Sequence, residues 1–172
     1  MSLSRSKLIS LFGSVAAAAA LLITTPALAA SSHAVPATQS ARIQAELRAQ
    51  LSYNPSGTMI NSSQISYDHG NVVVTVAGPN IPLTTCPAGD VCLYDSTDLH
   101  GSIAAINSPL DKNINIHAYL SQVESLWNRR AHGSLLSNNS TAVCYPSGQT
   151  ANSISAPYKN YPYLYLEANS NC

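Results

Sequence analysis

Four cysteines, Cys86, Cys92, Cys144 and Cys172, are the residues of this 172-residue chain with the most evident chemistry open to them. An even number of thiols suits disulfide formation in an oxidising compartment, and four of them allow three pairings. Between the first two, Pro87 stands at position i+1 of a turn and Gly89 at i+3, which folds the chain back with little strain. This favours Cys86 with Cys92 and Cys144 with Cys172, while the other pairings stay open to the sequence. Zinc is not expected, because Cys86 and Cys92 have five residues between them and no histidine follows at ligand spacing; zinc ligands usually have about two to four between them. Five histidines, His33, His69, His100, His117 and His132, offer general bases, and serine is plentiful. They form no H-E-x-x-H, no G-x-S-x-G and no close histidine pair, so the chain is expected not to be an enzyme and to carry no cofactor and no metal.

The elements that must position these residues follow from composition and pattern. At 45% hydrophobic and 9% charged the chain is too apolar for a disordered tail. Eight basic residues balance eight acidic ones, leaving no surplus to neutralise nucleic acid or to hold an anionic membrane. Arg5 and Lys7 precede an apolar run over residues 8–23, then Pro26 and the small-x-small triplet Ala27-Leu28-Ala29. This is the pattern of a secretory signal peptide over residues 1–29, so the mature chain is expected to be extracellular and free of the membrane. Residues 30–38 are expected to be a flexible arm. Ile43, Leu47 and Leu51 recur every fourth residue, Ser40 is placed to cap and Pro55 to stop, which predicts a helix over residues 39–51. Residues 64–67 and 72–76 flank Asp68-His69-Gly70-Asn71 and predict a hairpin with His69 at its tip.

A boundary near Leu83 then separates the helix and hairpin extension, residues 39–83, from a disulfide-linked β region over 84–172. In that region residues 91–94, 103–106, 123–127, 141–145 and 163–166 are the candidate strands of a small antiparallel sandwich. Tyr161, Tyr163 and Tyr165 share one face of the last strand and Leu164 and Leu166 the other. The tyrosine face is expected to be half-buried, with carbohydrate binding as the alternative.

One block is more specific. Cys86-Pro87-Ala88-Gly89-Asp90-Val91-Cys92-Leu93-Tyr94-Asp95 leads from a clamped turn into a strand, and Leu99-His100-Gly101 follows shortly after. Gly101 permits a fold-over where a Cβ would obstruct the returning chain, with Tyr94 packed as a corner. The span from Tyr94 to Gly101, with Leu99 in the second aromatic place, resembles the signature of βγ-crystallin Greek keys. Together with Ser125-Leu126-Trp127-Asn128, it is similar to the secreted actinobacterial peptidase inhibitor family 36, of the Streptomyces metalloproteinase inhibitor type.

The resemblance implies a mainly β, βγ-crystallin-like Greek-key sandwich, here with the N-terminal helix and hairpin extension. It also implies a monomeric inhibitor of thermolysin-like metalloproteases, with an extracellular protease as partner and a rigid disulfide-anchored loop entering the protease cleft. Such clefts favour an apolar residue after the presented bond, which points first to Cys144, Tyr145 and Pro146 and second to Cys92-Leu93. The first loop is expected to be exposed, since it follows the polar run 137–141. Glu124 stands where the family has a first serine, and the second crystallin motif is eroded. Leu120 and Ser121 occupy the places of crystallin-type calcium ligands, so tight calcium binding is not expected. The alternative is a non-catalytic extracellular structural or surface-interaction module, in which Trp127 is core and Arg129-Arg130 are ordinary solvated charges.

Overall fold

The computed structural model describes residues 37–77, 85–109 and 112–168. The expected signal peptide, most of the expected arm, the boundary near Leu83 and Cys172 lie outside the described residues. Among the described residues there is one α-helix, α1 (Ala37–Tyr53), followed by short strands. The helix begins two residues before the expected start, so Ala37 and Thr38 are helical and Ser40 lies within the helix instead of capping it. Nothing in Ala37-Thr38-Gln39 opposes helical backbone, whereas Pro55 does end it, just beyond Tyr53. Leu47 is fully buried and Ile43 and Leu51 pack beside it. Side-chain amides fasten the rest: Gln44 Nε2 donates to Ser62 O at 2.7 Å and Gln50 Nε2 to Ala118 O at 2.9 Å.

The strands are β1 (Thr58–Asn61), β2 (Gln64–Tyr67), β3 (Val72–Thr75), β4 (Val91–Tyr94), β5 (Ile103–Ile106), β6 (Asn113–Asn115), β7 (Ser125–Asn128), β8 (Ser134–Ser137), β9 (Ala142–Tyr145), β10 (Thr150–Ala151) and β11 (Tyr163–Leu166). They form two antiparallel sheets, one in the order β1-β2-β3-β5-β4-β7-β10 and one in the order β6-β11-β8-β9. The expected hairpin is β2 and β3, paired from Gln64 opposite Thr75 to Tyr67 opposite Val72. His69 is exposed at its tip with φ 58°. β3 also pairs with β5, Val72 opposite Ile106 and Thr75 opposite Ile103, so the extension and the region after Cys86 share one sheet. The expected strand over residues 123–127 is displaced to Ser125–Asn128, because Val123 N and Glu124 N donate instead to Lys159 O at 2.9 Å and to Tyr94 O at 2.8 Å.

The main core lies between the sheets, with Val72, Val74, Val91, Leu93, Ile106 and Leu126 from the larger and Ile114, Leu136, Leu164 and Leu166 from the smaller. On the last strand Leu164 and Leu166 are buried while Tyr163 and Tyr165 are half-buried, as the alternation requires. β4 is buried on both faces. Its other face, Cys92 and Tyr94, is covered by Cys86 and Ile103, with Leu99, Ala105 and Trp127 around them. This second, smaller core carries the disulfide.

Candidate functional site

The hairpin corner between β4 and β5 sets the geometry. Gly101 has φ +80°, and a Cβ there would stand 1.9 Å from Asp95 Oδ1, so no side chain fits. Asp95 Oδ1 itself accepts from Ser102 N at 2.9 Å, closing the fold-over. Ser125, from β7, is fully buried and locks the corner from the neighbouring strand. Its hydroxyl accepts from Leu99 N at 3.0 Å and donates to Ser96 O at 2.6 Å. Leu99 sits at φ 60°, a left-handed conformation costly for leucine, and that hydrogen bond helps to hold it. Tyr94 is fully buried against this corner, and burial pushes its phenol up to about 12. Glu124 pairs with Lys159 at 3.0 Å.

Beside the corner, Cys86 and Cys92 are joined, with Cα atoms 5.7 Å apart. Both sulfurs' residues are buried, while Pro87, Ala88 and Gly89 are exposed between them. Asp90 N donates to Pro87 O at 3.3 Å and closes the turn. Arg129, just after β7, then grips the loop from the side. Its Nη1 donates to Cys86 O, its backbone N donates to Asp90 O at 2.9 Å, and its carbonyl accepts from Gly89 N at 3.1 Å. The guanidinium lies 4.9 Å from the centre of the Trp127 ring, a cation–π distance. Beneath, Asp90 and Arg130 are both buried. Burial raises the Asp90 carboxyl and lowers the Arg130 guanidinium, and each charge moderates the other's shift.

Asn128 ties in the opposite side. It is fully buried, and its Nδ2 donates to Tyr145 O at 2.8 Å, His132 O at 2.9 Å and Pro146 O at 3.1 Å, while Oδ1 accepts from Arg130 N at 3.1 Å. Ser147 Oγ donates to Arg130 O at 2.7 Å, and Asn128 N to Gln149 O at 2.9 Å. The turn 147–149 is exposed, with Gly148 at φ +76°. Three exposed turns, around Ala88, Ala131 and Gly148, therefore share one set of struts at residues 128–130.

Tyr145 departs from expectation. The expected loop of Cys144, Tyr145 and Pro146 does not offer its tyrosine to solvent: Tyr145 is 5% exposed. The reason is register, since Tyr145 pairs with Ser134 at the end of β9 and its ring enters the main core. Burial pushes its phenol up to about 12. Leu93, the apolar residue after Cys92, is fully buried as well. Cys144 is disulfide-bonded, and its expected partner Cys172 lies outside the described residues. Tyr94, Leu99, Gly101 and Ser125 do meet at the corner, with Trp127 and Asn128 on the adjoining strand. Sequence reasoning gave no role to Arg129 and Arg130, treating them as solvated charges only under the surface-module alternative, and missed the hub role of Asn128. Their only sequence signal is that both arginines directly follow Trp127-Asn128.

The stretch of chain that contains all three turns and their struts is also the stretch that comparison picks out. Residues 82–152 match peptidase inhibitor family I36. The matched span opens just ahead of Cys86 and closes just after Gln149, so the clamped loop, the corner, β7 and the turn after β9 all fall inside it. The likeness is to a family of peptidase inhibitors and covers 71 of the 172 residues of the chain. Neither a curated protein nor a solved structure matches the chain. Among the described residues no group of three or more His, Cys, Asp or Glu side chains is placed to hold a metal ion.

Proposed function

We propose that this protein is a secreted inhibitor of thermolysin-like metalloproteases, and that the end of the molecule bearing the three interlocked turns is the surface that meets the protease. The observation that carries this reading is the exposed Pro87-Ala88-Gly89 turn held between a buried disulfide and Arg129, inside the I36 span. An inhibitor must enter a cleft already in its bound shape, because ordering a loop on contact costs affinity. Here the tip presents small side chains and main chain while every strut lies behind it. Tyr145 serves as the floor of this surface and not as the side chain presented, since its ring is in the core.

The test is a titration of the purified, oxidised protein against a thermolysin-like secreted metalloprotease, with a serine protease in parallel. Stoichiometric inhibition of the first and none of the second is expected. Full activity of both at micromolar excess would overturn the target class.

A further inference from the structure

The 86–92 loop has two closures. One is the disulfide, and the other is Arg129, which touches the loop at both stems without belonging to it. Its Nη1 reaches Cys86 O at the entry. At the exit its main chain takes the Gly89 N–H at 3.1 Å and gives its own N–H to Asp90 O at 2.9 Å. The guanidinium is in turn held 4.9 Å over the Trp127 ring, and Trp127 lies opposite Cys92 in the β4–β7 register. A surface arginine with no loop to hold has no need of a carbonyl acceptor and an aromatic platform at once, and ordering its long side chain costs entropy that these contacts must offset.

We propose that Arg129 is the positioning residue of the inhibitory turn, a second, non-covalent clamp that fixes the 87–89 tip in the form the protease meets, with Trp127 as its platform. This rests on the inhibitor reading above for its consequence, but not for its geometry. Trp127 is the one tryptophan of the chain, so its emission reports the clamp directly.

The experiment compares the full oxidised protein with Arg129→Ala and Arg129→Lys by amide hydrogen exchange, tryptophan emission and inhibition constant. Arg129→Ala keeps the main-chain bonds to Gly89 and Asp90 and loses the charge-assisted bond to Cys86 O, so exchange at Gly89 should rise through loosening of the loop entry and inhibition should weaken, each by about tenfold or more. Trp127 emission should shift to the red. Arg129→Lys keeps a cation near the ring and one donor toward Cys86 O, and should recover part of each loss. The thermal midpoint should move by no more than a few degrees, because Arg129 is exposed. Unchanged exchange and emission in Arg129→Ala would overturn the clamp. A loosened loop with undiminished inhibition would overturn the positioning role while leaving the inhibitor reading intact. If the unaltered protein inhibits neither protease, the inhibitor reading fails, and exchange and emission still decide whether the clamp exists.

Discussion

Ser125 uses both capacities of its hydroxyl inside the protein, accepting from Leu99 N and donating to Ser96 O, with no surface left for water. Removing it leaves the half-buried Leu99 N–H and Ser96 carbonyl without this partner, and releases Leu99 from a left-handed backbone that leucine disfavours. Ser125→Ala should therefore cost about 2–3 kcal/mol, read as a lower urea midpoint with an unchanged slope. Gly101→Ala acts on the same corner by a different route, since its Cβ would meet Asp95 Oδ1 at 1.9 Å. The fold-over must open, and this variant should lose at least as much. A midpoint within a few tenths of a molar of the parent for both variants would show that the corner is not a stabilising feature. Gly101 and Tyr94 were legible in the sequence because a glycine seven residues after a strand-ending tyrosine has few other uses. Arg129 was not legible: which carbonyl an arginine reaches depends on where a strand more than thirty residues earlier returns, and local sequence does not contain that.

At the scale of elements, β7 and the three residues after it connect the two halves of the proposed contact surface. Asn128 shares two amide protons among three carbonyls, of His132, Tyr145 and Pro146, and its oxygen takes the Arg130 N–H. A carboxylate has no proton to offer any of those carbonyls and would bring a buried charge against them. Asn128→Asp should therefore destabilise by about 3–5 kcal/mol at neutral pH, partly recovered on acidification as the new carboxyl protonates. Chemical denaturation at two pH values reads this directly, and a cost independent of pH would argue against the charge as the cause. The strands legible in the sequence were those with β-branched or aromatic runs, Gln64–Tyr67, Val72–Thr75, Val91–Tyr94, Ile103–Ile106, Ala142–Tyr145 and Tyr163–Leu166. Thr58–Asn61, Asn113–Asn115, Ser134–Ser137 and Thr150–Ala151 were not. The first is exposed throughout and so lacks the alternation that marks a half-buried strand, while the second alternates but over only three residues, too short for the pattern to stand out. Their pairing partners, distant in sequence, make them strands.

Across the whole molecule the two cores are bracketed by two buried phenols, Tyr94 against the disulfide and Tyr145 between the sheets. Both are raised from 10.0 to about 12 by burial. The sign of the consequence is fixed by linkage: in the unfolded chain each phenol ionises near 10, while in the folded protein it stays protonated until about 12. The folded state thus holds protons that the unfolded state has released, and stability falls as pH rises through that window. Below pH about 10 neither group contributes any pH dependence. The Tyr94 hydroxyl is buried without a hydrogen-bond partner among the described residues, so Tyr94→Phe removes an unsatisfied polar atom and keeps the ring. It should leave neutral stability unchanged or slightly higher, and it should remove one of the two largest contributions to the alkaline loss, beside which burial also raises the Tyr67 and Tyr119 phenols. Tyr145→Phe should remove the other, and the double variant should make the dependence of thermal midpoint on pH between about 10 and 12 shallower. Tyrosinate absorbance gives the independent check, because in the parent protein at least Tyr94 and Tyr145 of the nine tyrosines should ionise only as the fold is lost. If all nine titrate reversibly near pH 10 with the circular dichroism of the sheets intact, the two rings are not sealed in the cores, and the floor proposed beneath the three turns is open to solvent.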